Sequence, residues 1–147
     1  MTIAERHALT TWEGSLARGA GQVTGGTGAL GDLDLTWAAR TEKPGGHTSP
    51  EELAAAAHSS CFAMALALRL TEEKITTGPL QVKATVTLGE VDGLPTIVSS
   101  HLVVSTQATG LDQDEFQKVV DAAAALCPIS RLFAGAKVTV DAVLESP

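Results

Sequence analysis

Residues 49–70 constrain the fold more than any other part of this chain, because they read as one long helix with a single cysteine, Cys61, at its middle. Ser49 is placed to cap the helix, Pro50 suits a first position where no N–H is needed, and Glu52 completes a Ser-x-x-Glu capping box. Downstream, Leu53, Ala57, Cys61, Met64 and Leu68 form one apolar stripe, while Ala54, Ala55, Phe62, Ala65 and Leu66 cover most of the remaining circumference. A helix that is apolar nearly all round is expected to be buried on every side. His58, Ser59 and Ser60 interrupt it, and the apolar run 61–68 falls far short of the roughly 20 residues a bilayer needs, so no membrane span is expected. Either the rest of the chain or a second copy must wrap around it.

Composition narrows the class. With 147 residues, 44% of them hydrophobic, the chain is expected to form one domain over residues 1–147, with a core that needs no disulfide staples. A net charge of -7 and the absence of any Lys/Arg run argue against nucleic acid and against an anionic membrane surface as partners. The first residues carry Glu5, Arg6, His7 and Glu13 and no apolar h-region, so no secretory signal is read and the cytoplasm is the expected compartment. Two cysteines, Cys61 and Cys127, are too few for a secreted disulfide framework. In a reducing compartment such a pair points to redox or metal chemistry, with inert core packing as the plain alternative.

Taken in order, Leu9 and Trp12, then Val23, then Leu33, Leu35 and Trp37 lie on three short segments separated by glycines, which predicts three antiparallel strands, the third ending at Arg40. Gly19, Gly21, Gly25 and Gly26 fall between strands, not between a strand and a helix, so no phosphate-binding loop is read there. Residues 40–48, with Pro44-Gly45-Gly46, form a loop into the central helix. Leu80, Val82, Ala84, Val86 and Leu88 alternate with polar residues as a half-buried strand, Asp92-Gly93 signals a hairpin, and residues 96–106 return as its partner. Asp112 and Glu115 can cap a second helix with the stripe Phe116, Val120, Ala123, Cys127; Pro128 ends it and opens a short turn. Val138, Val140 and Ala142 make a closing strand. The order βββ-α-ββ-α-β fits an α+β fold of antiparallel sheets with a long central buried helix and a second helix.

The chemistry turns on Cys61. A thiol with an ordinary pKa near 8.5 is only a few per cent thiolate at neutral pH, and a nearby cation is needed to make it a nucleophile. The chain has only ten Lys and Arg residues. Arg40, where the chain turns toward the central helix, is the first candidate, and Arg18, in the first hairpin, is the second. Glu51 lies about 15 Å along the helix axis from Cys61 and about 80° round it, so the two cannot touch within one helix.

Residues 50–53 (Pro-Glu-Glu-Leu), residues 56–66 around Cys61, and Cys127-Pro128-Ile129-Ser130 resemble the signature of the OsmC and organic hydroperoxide resistance family. Residues 12–19 and the position of Arg40 resemble the OsmC branch, and the likeness covers nearly the whole chain. The resemblance implies a thiol-dependent peroxidase, an intertwined homodimer with two active sites at its interface, acting on organic hydroperoxides in stress defence. By position, Cys61 looks like the peroxidatic cysteine, Cys127 like the resolving one, Glu51 like the family's active-site glutamate and Arg40 like its arginine. In the other branch the arginine lies in the first hairpin, which keeps Arg18 in view. No cofactor is implied beyond an external dithiol reductant such as a lipoylated protein. Phe62, Met64 and Leu53 would surround the cysteine with apolar groups favouring an organic hydroperoxide, or would simply be core.

Two other readings stay open. His58 reads first as a packed helix residue or a group supporting the cysteine; with Cys61 and Cys127 it could instead form part of a zinc site, although His7, His47 and His101 lie on unrelated segments and no fourth ligand is evident. The chain could also be a catalytically silent interaction dimer.

Overall fold

The computed structural model describes residues 1–146 and contains six strands and four helices among them. The order is β1 (Ala8–Glu13), β2 (Ala20–Gly25), β3 (Asp32–Leu35), α1 (Trp37–Thr41), α2 (Pro50–Glu72), β4 (Gln81–Val91), β5 (Leu94–Gln107), α3 (Gln113–Leu126), α4 (Pro128–Leu132) and β6 (Lys137–Glu145). The expected α+β class and element order are present, with two short helices added. The chain divides into two compact units, Met1–Leu53 and the remainder from Ala54 onward.

The first unit is an antiparallel meander, β1-β2-β3. Trp12 of β1 stands opposite Gly21 of β2, and a Cβ on that glycine would come 2.6 Å from Cε3 of the indole. Only glycine lets the ring lie flat across β2. The third strand is shorter than the sequence pattern suggests. It stops at Leu35, because Thr36 takes an extended conformation and its hydroxyl accepts from Ala39 N–H at 3.0 Å, capping α1. Arg40 therefore sits on a helix and not at a strand end. Residues 42–49 then turn back through Gly45 and Gly46, both at positive φ, and Thr48 bridges to Leu35 beside β3.

The N-terminus of α2 is fixed by two contacts. Ser49 Oγ accepts from Glu52 N–H at 3.1 Å, one half of the expected capping box. The other half is replaced: the Glu52 carboxylate accepts from the Thr48 hydroxyl at 2.6 Å. Thr48, one residue before the cap, offers a side-chain donor that competes for that carboxylate.

The second unit holds the main core. Phe62, Leu66 and Leu70 of α2, Leu102 and Val104 of β5, Phe116, Val119, Val120 and Ala123 of α3, Cys127 and Ala142 pack into one cluster. Each fully buried Leu or Phe there contributes roughly 1.5–3 kcal/mol of burial free energy. The α3 stripe matches its sequence period, and its capping box between Asp112 and Glu115 is complete. Asp92 and Gly93 both have positive φ, as a two-residue hairpin of the I′ type demands. The sheet is mixed, not purely antiparallel. β4 and β5 run antiparallel, but β6 joins β5 in parallel, because α3 and α4 supply the crossover that a parallel return requires.

The central helix departs most from expectation. Its buried residues are His58, Phe62, Leu66 and Leu70, a single i, i+4 stripe. Met64 is 74% exposed and Leu68 52% exposed, and with the exposed Ala57 three of the five residues of the expected apolar stripe face away from the core of a single chain. By length and apolarity α2 could cross a membrane, but its inner stripe is packed into the protein core.

Candidate active site

Four side chains singled out in the sequence gather as two pairs, one in each unit. In the first unit, α1 presents Arg40 to Glu51 in the first turn of α2. The Arg40 Nε donates to both carboxylate oxygens at 3.0 and 3.1 Å, and Nη2 donates to Oε1 at 2.7 Å. This is a charge-assisted fork in which one rigid plane meets another. Glu51's side chain is only 11% exposed. One turn earlier on α1, Trp37 places its ring 5.9 Å from the guanidinium carbon of Arg40, within cation–π range. Arg18, the second candidate, is exposed in the β1–β2 connection, and among the described residues it enters no ion pair.

Beside Arg40 is a largely apolar cavity of about 220 Å³ lined by Trp12, Leu16, Leu35, Trp37 and Pro50. These residues are legible in the sequence only as strand and turn residues. The signal for them was the pair of tryptophans in a chain with few aromatics. The residues expected to make the apolar surroundings do not line this cavity: Phe62 is fully buried in the core of the second unit, and Met64 is exposed.

In the second unit Cys61 and Cys127 are neighbours, and both are free thiols. Cys127 is fully buried and ends α3, where the chain turns into α4. Its Sγ accepts from the backbone N–H of Ser130 at 3.5 Å, so the sulfur itself caps α4. Pro128 makes this possible: it cannot extend α3, it disfavours helical geometry at Cys127, and it suits the first position of a new helix. Cys61 is partly exposed, and burial raises its thiol pKa above the ordinary value. The Ile129 backbone N–H pulls the other way by favouring the thiolate, and the adjacent Cys127 thiol raises it further. The expected reactive thiolate is therefore not produced by the contacts of this unit alone. It needs a positive charge.

His58, one turn before Cys61 on α2, is fully buried and bridges two elements. Its Nδ1 lies 2.6 Å from Ser100 Oγ of β5, and its Nε2 lies 2.8 Å from Ser130 Oγ of α4. Phe133 covers the ring at a centroid distance of 5.1 Å. Burial lowers the pKa of this imidazole, keeping it neutral. Zinc would need one of these two nitrogens free, and both are held by hydroxyls; among the described residues no three His, Cys, Asp or Glu side chains gather as a metal site.

Residues 43–142, which include both cysteines, match the sequence model of the OsmC-like proteins. The chain belongs to the OsmC family. It is 36% identical over 146 residues to the peroxiredoxin OsmC of Escherichia coli, spanning 99% of this chain and all of that protein. Among solved structures, the organic hydroperoxide resistance protein OhrB of Bacillus subtilis is 30% identical and superposes with a TM-score of 0.74, covering 93% of this chain and 98% of that one. An OsmC-like protein of unknown function from Vibrio cholerae has a TM-score of 0.76 at 16% identity, over 96% of this chain and all of that one, a likeness of fold alone.

Proposed function

We propose that this chain is a thiol-dependent peroxidase that reduces organic hydroperoxides to alcohols, working as a homodimer in the cytoplasm in defence against oxidative or osmotic stress. The observation that carries this reading is the adjacency of two free cysteines, one partly exposed and one buried, brought together from the middle of α2 and the end of α3. Full-length likeness to a protein named peroxiredoxin OsmC supports it, as does the hydroperoxide resistance protein among its structural neighbours.

The Cys61 thiolate attacks the distal, hydrogen-bearing peroxide oxygen. An S–O bond forms, the O–O bond breaks, and the departing alkoxide takes a proton to leave as the alcohol, so sulfur is oxidised to a sulfenic acid. The Cys127 thiolate then attacks that sulfur; the S–S bond forms as hydroxide leaves and is protonated to water. An external dithiol, of the kind a lipoylated protein bears, returns both cysteines to thiols. No bound cofactor enters the cycle.

The cation that Cys61 needs is Arg40, held by Glu51. Glu51 and Cys61 are ten residues apart on one helix and off its common face, so the fork serves the Cys61 of the partner subunit. The exposed Met64 and Leu68 of α2 supply an apolar surface for that partner. The cavity beside Arg40 favours a hydroperoxide with an organic tail. Steady-state consumption of an alkyl hydroperoxide with a dithiol reductant tests this. Turnover faster with the alkyl hydroperoxide than with hydrogen peroxide, and abolished in Cys61→Ser, is expected. Undiminished turnover in Cys61→Ser would exclude it.

A further inference from the structure

The second cysteine is held in place by an arrangement outside the Cys–Arg–Glu set. Cys127, Pro128, Ile129 and Ser130 form the turn between α3 and α4, and consecutive backbone N–H groups of that turn serve the two sulfurs: Ile129 acts on Cys61 and Ser130 on Cys127. The position of this turn therefore sets the Cys127 sulfur and the N–H that meets Cys61. Ser130 is itself tied by its hydroxyl to His58 Nε2, and His58 is tied at its other nitrogen to Ser100, a fully buried residue in the middle of β5. His58 also lies on α2, the helix that bears Cys61 one turn later. One imidazole thus links the helix of Cys61, the central strand of the sheet and the turn of Cys127.

We propose that His58 is a positioning residue for disulfide closure, the step in which the Cys127 thiolate attacks oxidised Cys61. This rests on the peroxidase reading and assigns a role within it. A short helix such as α4, of five residues, gains little from its own backbone bonds, so a side-chain anchor decides where its first turn sits. The anchor is neutral and polar on both sides, and a buried imidazole with only one hydroxyl partner would be left unsatisfied. Without it, the turn is free to drift, and closure suffers because its rate depends steeply on how well the attacking and accepting sulfurs are aligned.

The test separates closure from the oxidation that precedes it. Reduced wild-type protein, Ser130→Ala, His58→Ala and His58→Gln are each given one equivalent of an alkyl hydroperoxide. Hydroperoxide loss, dimedone-trapped Cys61 sulfenic acid and the Cys61–Cys127 disulfide are followed together by rapid quench and mass spectrometry. In Ser130→Ala and His58→Ala, closure is expected to slow about ten-fold, as loss of one buried hydrogen bond would produce, with hydroperoxide loss slowed much less and trapped sulfenic acid rising. His58→Gln, whose amide reaches where Nε2 stood, is expected to restore most of the closure rate.

Closure at the wild-type rate in folded Ser130→Ala and His58→Ala would overturn the proposal. So would equal slowing of hydroperoxide loss and closure. A second arm closes the disulfide with diamide, which needs no hydroperoxide. If wild-type protein consumes no hydroperoxide yet the variants still close more slowly with diamide, the peroxidase reading fails and the positioning role stands. Should His58→Ala not fold, Ser130→Ala, on the surface side of the bridge, decides the matter alone.

Discussion

Arg40 and Glu51 meet in a fork of three hydrogen bonds, 2.7 to 3.1 Å long, between the end of one short helix and the first turn of the longest one. The geometry is specific to arginine: one Nε and one Nη2 engage the carboxylate from a single plane, leaving the guanidinium's other edge unused by Glu51. A lysine cannot reproduce that, because its ammonium is a point charge on a flexible stem.

Arg40→Lys and Glu51→Gln should therefore both raise the apparent pKa of Cys61. The cation favours the thiolate, so weakening or misplacing it returns the thiol toward the raised value that burial imposes. A rise of about one unit corresponds to roughly a ten-fold loss of thiolate at neutral pH. Alkylation of Cys61 by iodoacetamide from pH 5 to pH 10 measures it, and an unmoved midpoint in both variants would disconnect the fork from the cysteine.

The buried imidazole of His58 makes stability depend on pH with a defined sign. In the unfolded chain it takes up a proton near its ordinary value of about 6.5, while burial depresses the folded value and keeps it neutral. Its contribution is complete above pH 6.5 and is lost progressively as pH falls from there toward the folded value. Urea unfolding between pH 5 and pH 8 should show stability falling on the acid side. His58→Gln, which cannot titrate, should flatten that limb.

Met64 and Leu68 face outward on α2 and make no contribution to the core of one chain. Met64→Asp should leave the secondary structure by circular dichroism unchanged and shift the protein from dimer to monomer in sedimentation velocity. Leu66→Ala, in the buried stripe of the same helix, should instead cost about 2–5 kcal/mol in unfolding free energy. A monomeric wild type would remove the reason for the exposed face.

Reduction should leave the fold intact. The core cluster is complete with both thiols free, so no cross-link is needed to hold it. A structural disulfide closing so long a loop would contribute about 4 kcal/mol by chain-entropy reckoning, and its loss would lower the melting temperature sharply. Reduced wild type is expected to keep the circular dichroism of the oxidised protein and to unfold in one cooperative melt, and loss of that melt on reduction would make the bond structural.

Much of this fold is legible in the residues. Asp112 and Glu115, the stripe Phe116, Val120, Ala123, Cys127, and the Asp92-Gly93 turn behave as their local chemistry dictates. These are short-range signals, fixed by caps, period and positive φ. What local reasoning cannot reach is which apolar side of α2 is covered. Met64 and Phe62 look alike in sequence, and only the tertiary arrangement turns one outward and buries the other. The same limit hides the parallel pairing of β6, which depends on where α3 and α4 deliver the chain, and the helix at Arg40, where the Thr36 hydroxyl overrides a strand-like pattern. In the candidate site, Cys61, Cys127, Arg40 and Glu51 are visible from their resemblance to family motifs. His58 is visible as a helix residue one turn from Cys61 but not as a bridge, because its partners Ser100 and Ser130 lie far off in sequence.

The most direct measurement mixes reduced protein with one equivalent of an organic hydroperoxide, counts the remaining free thiols and maps the oxidised peptides. The expected result is loss of both thiols with a single Cys61–Cys127 link inside one chain, absent from Cys61→Ser. If both thiols stay free and unreactive in the native protein, the two-cysteine cycle is wrong.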